Sequence, residues 1–147
     1  MKNLNIPPVY LALLLTSQIL AFIFLPDFNI VKFPYSLSGI LFIAAGFMIA
    51  GKTRDILAKH KTTHKFDDPV HLVTEGVFSR TRNPMYSGMI LFLLGFSLIF
   101  GNIFGMLTPF IFASIVNFIF IPIEEKKLEY LFGNAYFEYK NKVGRWI

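Results

Sequence analysis

A run of 41 residues, Asn83 to Ile123, carries no charged side chain and is broken near its middle by Gly101-Asn102. Charged sequences bracket it, with Arg80-Thr81-Arg82 before and Glu124-Glu125-Lys126-Lys127 after. At about 1.5 Å per residue, one straight helix of that length is about twice as long as a hydrocarbon core of about 30 Å is thick. The run must therefore fold as a hairpin of two crossings. Such a hairpin returns the arginines and the glutamates to one membrane face, where residues far apart in sequence can build one polar site.

Two further uncharged runs are long enough to cross, 24 residues between Lys2 and Asp27 and 19 between Lys32 and Lys52. A chain with 54% hydrophobic residues, 18 Phe and only 16% charged residues lacks the balance of a soluble domain. The expected fold class is all-α integral membrane, a single domain over 1–147. Four transmembrane helices are expected near 7–25, 35–51, 84–100 and 104–123, with a cytoplasmic central insertion and an amphipathic helical C-terminal tail. The first reads as a retained helix rather than a signal peptide, since its apolar run outlasts a signal core and no small-residue cleavage site precedes Pro26. Cysteine is absent, which excludes disulfides, thiolate metal sites and cysteine nucleophiles.

In this topology Lys32 is the one basic residue on the outer side; the other 13 of the 14 Lys and Arg fall on the inner side. The positive-inside rule then places both termini and the long loop in the cytoplasm. The net charge of +5 is expected to lie against anionic headgroups rather than nucleic acid.

Leu128, Leu131 and Phe132 recur at helical spacing, so the fourth helix is expected to continue past the membrane boundary to a stop at Gly133-Asn134. Tyr136, Phe137, Tyr139 and Val143 predict a second amphipathic helix, and Trp146 suits the headgroup zone. Lys52 to Lys59 should extend the second helix, whereas Thr62-Thr63, Asp67-Asp68-Pro69 and Gly76 predict irregular backbone. Asn83-Pro84 reads as a helix start with Asn83 at the cap, and its free N–H groups beside Arg80 and Arg82 suit an anion.

Plainer readings accompany these. Arg80 and Arg82 could simply snorkel, and the glutamates could end a solvated helix. Gly46, Ala50, Gly88 and Gly95 suit close helix packing. Asn117 could bond Thr16, Ser17 or Gln18 across the bundle or face a substrate. His60 and His64 have the i, i+4 spacing of a metal pair, but lack a third ligand nearby, and no metal site is expected.

The stretches Leu72-Val73-Thr74-Glu75-Gly76-Val77-Phe78, Arg82-Asn83-Pro84-Met85-Tyr86-Ser87-Gly88, Glu124-Glu125 and Phe132-Gly133-Asn134-Ala135-Tyr136-Phe137-Glu138-Tyr139 together resemble a known family. It is that of the integral-membrane isoprenylcysteine carboxyl methyltransferases and phospholipid N-methyltransferases. The resemblance spans roughly Thr62 to Trp146. It implies S-adenosylmethionine bound at the cytoplasmic ends of the last helices, within about 62–147, and a lipid or small lipophilic acceptor entering from the bilayer. By match to the family motif, Val70, His71, Leu72, Val73, Phe78 and Asn83 would line the cofactor, with Tyr86 one turn past Asn83. Glu124 would meet its amino group. Arg82 and Glu125 are the candidates beside the reacting groups, Arg82 for a cofactor carboxylate or lipid phosphate.

Many members carry His where Asn83 stands; Asn cannot titrate, so a proton shuttle is unavailable there. Prenylcysteine enzymes also place an arginine on the last helix just before the glutamates, to hold the substrate carboxylate. Asn117-Phe118-Ile119-Phe120-Ile121-Pro122-Ile123 has none. An amine headgroup is thus favoured over a prenylcysteine carboxylate. No Gly-x-Gly-x-x-Gly follows a strand, so a soluble-type methyltransferase sheet is not expected. Two alternatives are a nicotinamide-dependent enzyme like the membrane sterol reductases and a non-enzymatic lipid-binding subunit.

Overall fold

The computed structural model describes residues 7–60 and 71–146, and among these every regular element is helical. Helix α1 is Pro7–Phe24, α2 Ser38–Lys59 and α3 Pro84–Phe100. The last long rod runs from Gly105 to Phe132. It comprises α4 (Thr108–Ile115), a π-helical turn (Val116–Phe120) and α5 (Ile121–Phe132). Helix α6, Asn134–Lys142, follows Gly133, whose φ of 51° turns the chain where α5 stops. Lys52 to Lys59 do continue α2, and the fourth helix does run on past the glutamates, as the apolar spacing predicts. Residues 62–69, which include His64, fall outside the described residues, as does Val70.

Three stretches are long and apolar enough to cross a membrane, namely Pro7–Phe24, Tyr35–Lys59 and Gly105–Phe132. Helix α3 is equally apolar but shorter, at 17 residues. It is also the most enclosed, burying Tyr86, Gly88, Leu93, Gly95 and Ser97 among its neighbours.

The hairpin between α3 and the last rod is fixed at its tip by Asn102, which is fully buried. Its Nδ2 donates to Ala21 O (3.1 Å), Leu25 O (2.9 Å) and Asn29 Oδ1 (2.8 Å), while its Oδ1 accepts from Phe104 N (3.0 Å). Gly101, at φ 66°, ends α3, and its carbonyl accepts from Ile30 N at 2.8 Å. One asparagine thus ties the end of α1 to both sides of the break.

Several polar and small residues lie inside, and many large apolar ones face out. Gln18 is fully buried and donates to Leu93 O at 3.1 Å and to Thr108 Oγ1. Leu41, Phe47, Phe110, Phe118 and Ile123 are all more than 60% exposed, as lipid-facing residues should be. A core of Tyr86, Leu93, Phe112, Val116, Phe120 and Ile121 joins α3 to the last rod.

Helices α2 and α3 approach through glycines, as the small-residue pattern predicts. A Cβ on Gly46 would lie 2.7 Å from Gly88 O, and one on Gly95 would lie 2.6 Å from Gly39 O. Neither backbone oxygen can yield without separating the helices. Gly95→Ala should therefore destabilise the fold by about 1–3 kcal/mol, the usual cost of overpacking. Gly51→Ala, with nothing within 4 Å of the added carbon, should be neutral or stabilising by up to about 1 kcal/mol. Thermal unfolding of the two variants in detergent checks the contrast.

Candidate functional site

The start of α3, the end of the last rod and the tail converge on two carboxylates, Glu125 buried and Glu124 half-buried. Adjacent residues on a helix point about 100° apart, and Glu124 and Glu125 accordingly take different partners. Tyr86, 5% exposed and one turn into α3, donates its hydroxyl to Glu124 Oε1. Glu125, 6% exposed, accepts from Arg82 Nη2 at 2.9 Å and from Arg145 Nη2 at 2.8 Å. Arg145 Nε adds a longer contact to Glu125 Oε1 at 3.3 Å. Lys140 stands 3.7 Å from Glu125 and 2.7 Å from Glu129.

Asn83 and Pro84 begin α3, with Pro84 in the first turn, where its missing N–H costs nothing. The Asn83 side chain does not cap the helix; its Nδ2 donates to Arg145 O at 3.1 Å. Thr81 Oγ1 reaches the same carbonyl at 3.0 Å. Arg82 N bonds Gly144 O (3.0 Å) and Arg82 Nη1 bonds Lys140 O (3.1 Å). The tail is therefore strapped to the segment before α3 by a series of backbone acceptors. Tyr139 adds a bond from its hydroxyl to Phe78 O at 2.7 Å. Burial pushes the Tyr136 hydroxyl up to about 12, and burial likewise raises Tyr139.

Of the residues expected from sequence, Arg82, Asn83, Tyr86, Glu124 and Glu125 are brought together, and Phe78 joins them through its carbonyl. Arg82 and Glu125, expected as separate candidates, are each other's partner. Val73 is buried, Leu72 half-buried and His71 exposed. No hydrogen bond links the three side chains to this cluster among the described residues. His60 turns instead to Glu75, at 2.9 Å, and that hydrogen bond is the main influence lowering the Glu75 pKa.

One expectation is corrected. Asn117 bonds none of Thr16, Ser17 and Gln18. Its Oδ1 accepts from Trp146 Nε1 (3.1 Å) and Arg145 Nη1 (3.3 Å), because Thr16 and Ser17 spend their hydroxyls on their own helix and Gln18 turns to Leu93 O, Gly105 O and Thr108. Trp146 is half-buried against the core, where Asn117 offers its N–H an acceptor at 3.1 Å. The residue that sequence reasoning missed is Arg145. It supplies a guanidinium beside the last rod from the tail, a long-range placement that no local spacing signals.

Within the described residues, Arg82 Nε is buried and has no hydrogen-bond partner. The charges gathered here are Arg82, Lys140 and Arg145 against Glu125 and Glu129, one positive charge in excess. With Glu124 aside, the cluster suits an anion next to a separate carboxylate.

The sequence pattern of the phospholipid methyltransferase family matches residues 35–135. The chain is 35% identical over 138 residues to a protein-S-isoprenylcysteine O-methyltransferase of Saccharomyces cerevisiae, covering 81% of this chain and 53% of that protein. It is 34% identical over 102 residues to protein-S-isoprenylcysteine O-methyltransferase B of Arabidopsis thaliana, covering 65% and 50%. An uncharacterised protein of Haemophilus influenzae is 41% identical over 63 residues, 43% of this chain and the whole of that protein. The chain spans about half the length of the two prenylcysteine relatives.

Removing Glu125 leaves the buried Arg82 unpaired, so Glu125→Ala should cost about 3–5 kcal/mol of stability. Glu129→Ala, at a site about one-third exposed, should cost less than about 1 kcal/mol. Denaturant unfolding in detergent compares them. A raised tyrosine pKa means that the unfolded chain, at about 10, releases its proton first. The stability tied to Tyr136 burial is therefore intact below about pH 10 and is lost as pH rises toward about 12. Thermal unfolding at stepped alkaline pH should show a shallower loss for Tyr136→Phe than for the unaltered chain.

Proposed function

The chain belongs to the phospholipid methyltransferase family, and from that premise we propose that it is an S-adenosylmethionine-dependent membrane methyltransferase acting on a lipid or small lipophilic acceptor. The observation carrying this reading is the pair of contacts that join the start of α3 to α5, Tyr86 with Glu124 and Arg82 with Glu125. They bring a carboxylate, Glu124, and a guanidinium, Arg82, to the same end of the helices, and S-adenosylmethionine presents an ammonium and a carboxylate together.

The residues present suit that cofactor. Glu124 would hold the ammonium, exchanging its hydrogen bond from Tyr86 in part for a charge-assisted one. The unpartnered Arg82 Nε and the excess positive charge suit the carboxylate. Val73 and Phe78 are apolar surface for the adenine. When bound, the cofactor supplies a methyl on a sulfonium, open to in-line displacement. The protein's part is then to align the reactants and exclude water, which a strapped-down tail favours. Asn83 cannot take a proton, so an amine arriving neutral needs no base from it.

The reading includes four crossings, with α3 spanning as the shortest, since a bilayer thins locally around a short helix at a modest cost. Both termini and the site would face the cytoplasm, following the basic residues. An amine headgroup is favoured over a carboxylate: Arg145, the guanidinium near Asn117, is already held by Glu125 through two contacts. The names of the yeast and Arabidopsis relatives support the opposite choice, a prenylcysteine carboxylate.

Glu124→Gln should bind S-adenosylmethionine roughly ten- to hundredfold more weakly, the scale of one hydrogen bond to a charged group, while unfolding normally. Calorimetry reads the affinity. Unchanged binding would remove Glu124 from the ammonium site. Incubating the protein and labelled cofactor with a total lipid extract, and separately with a farnesylcysteine, identifies the acceptor by mass spectrometry of the labelled product.

A further inference from the structure

A polar concavity lies where the segment before α3 meets α2. Gly76, at φ 60°, starts a short 3₁₀ turn over Gly76–Ser79 that packs onto α2. A side chain at Gly76 would collide with the end of Ile56, so the turn sits flush against the helix. Above that contact the two elements leave a crevice of about 490 Å³ lined by Lys52, Asp55, Ile56, Gly76, Ser79 and Arg80, within the size range of small-molecule sites. Glu75, just before Gly76, is engaged by His60 at 2.9 Å and Lys59 at 3.8 Å.

The charges inside the crevice are uncompensated. Among the described residues, Lys52, Asp55 and Arg80 have no hydrogen-bond or ion-pair partner, and together they carry one net positive charge. Among the described residues, the nearby acid Glu75 has its own cations. Lys126 and Lys142 are also unpaired, but they stand exposed on α5 and α6. What distinguishes Lys52 and Arg80 is that two separate elements bring them to one concavity. Its depth in the membrane is set by sequence, because Lys52 ends the 19-residue uncharged run of α2. That is the level at which headgroup phosphates lie.

We infer that this crevice is a docking site for the headgroup of an anionic phosphodiester lipid with a hydroxylated headgroup, of the phosphatidylglycerol type. It is separate from the site around Glu124 and rests only on the membrane reading of the fold. Lys52 and Arg80 take the phosphate, Arg80 through a two-pronged contact that a guanidinium makes and an ammonium does not. Asp55 accepts from a headgroup hydroxyl. A monoanion brings the crevice to neutrality, whereas a zwitterion leaves its excess charge in place. The lipid then clamps the 3₁₀ turn to α2 and so steadies the segment leading into Arg82.

Native mass spectrometry of the delipidated full chain in detergent, without cofactor, tests this by titration with dioleoylphosphatidylglycerol. Lys52→Gln combined with Arg80→Gln should weaken the first lipid-binding event about thirtyfold, on the scale of two basic contacts to anionic lipid. Lys126→Gln combined with Lys142→Gln, which removes equal charge elsewhere, should change it by less than about threefold on the same scale. Equal losses in the two pairs would mean diffuse attraction and overturn the site. Dioleoylphosphatidylcholine binding as well as the glycerol lipid would overturn the choice of ligand. Glycerophosphoglycerol, the headgroup without acyl chains, should bind far more weakly; equal affinity would make the ligand a soluble phosphodiester and overturn the lipid source. Because the readout is lipid retention alone, it is independent of whether Glu124 binds S-adenosylmethionine.

Discussion

The salt bridge between Arg82 and Glu125 is the constraint on which one end of this protein depends. Both side chains are about 8% exposed, so neither charge could persist there alone. The pair fixes the start of α3 against α5, and Arg145 extends it to the tail. Three segments remote in sequence are thereby held to one geometry. The price is that Arg82 is no freely swinging cation: with Nη1 on Lys140 O and Nη2 on Glu125, only Nε remains unassigned. Pre-organisation of this kind suits a site that must receive a charged ligand without rearranging its own charges.

The opposite end is organised by neutral hydrogen bonds. Asn102 satisfies three carbonyl or amide oxygens around the hairpin tip, and Gln18 reaches across to Leu93 and Gly105. Between the two ends, glycine contacts bring α2 and α3 together where bulkier residues would hold them apart. This division of labour fits an apolar surround. Hydrocarbon gives no drive to bury leucine, so close packing and satisfied polar groups hold the helices together.

Much of this arrangement was legible in sequence because it follows from length and charge. The uncharged run broken at Gly101-Asn102 required a hairpin, and the hairpin required the arginines and the glutamates to share one face, though not that Arg82 would pair with Glu125. The helix stop at Gly133 and the glycines of α2 and α3 were likewise readable. What escaped was the tail. Arg145, Trp146 and Asn117 find each other across about thirty residues of chain, and nothing in local periodicity encodes which polar partner a tail will choose. Asn83 illustrates the limit: its position at the helix start was predictable, but its side chain serves Arg145 O instead of the cap.

The π-helical turn at Val116–Phe120 carries a consequence for how such a rod can vary. A π turn accommodates one residue more than the α-helical path it replaces, so its flanks keep the azimuth they would have without the extra residue. Loss of one residue within this turn would therefore leave Glu124 and Glu125 aimed at α3. Losing a residue elsewhere between Thr108 and Ile123 would swing both carboxylates by about 100°. The surplus residue thus makes this turn a vernier, where the reach of Asn117 can be reset independently of the aim of the glutamates.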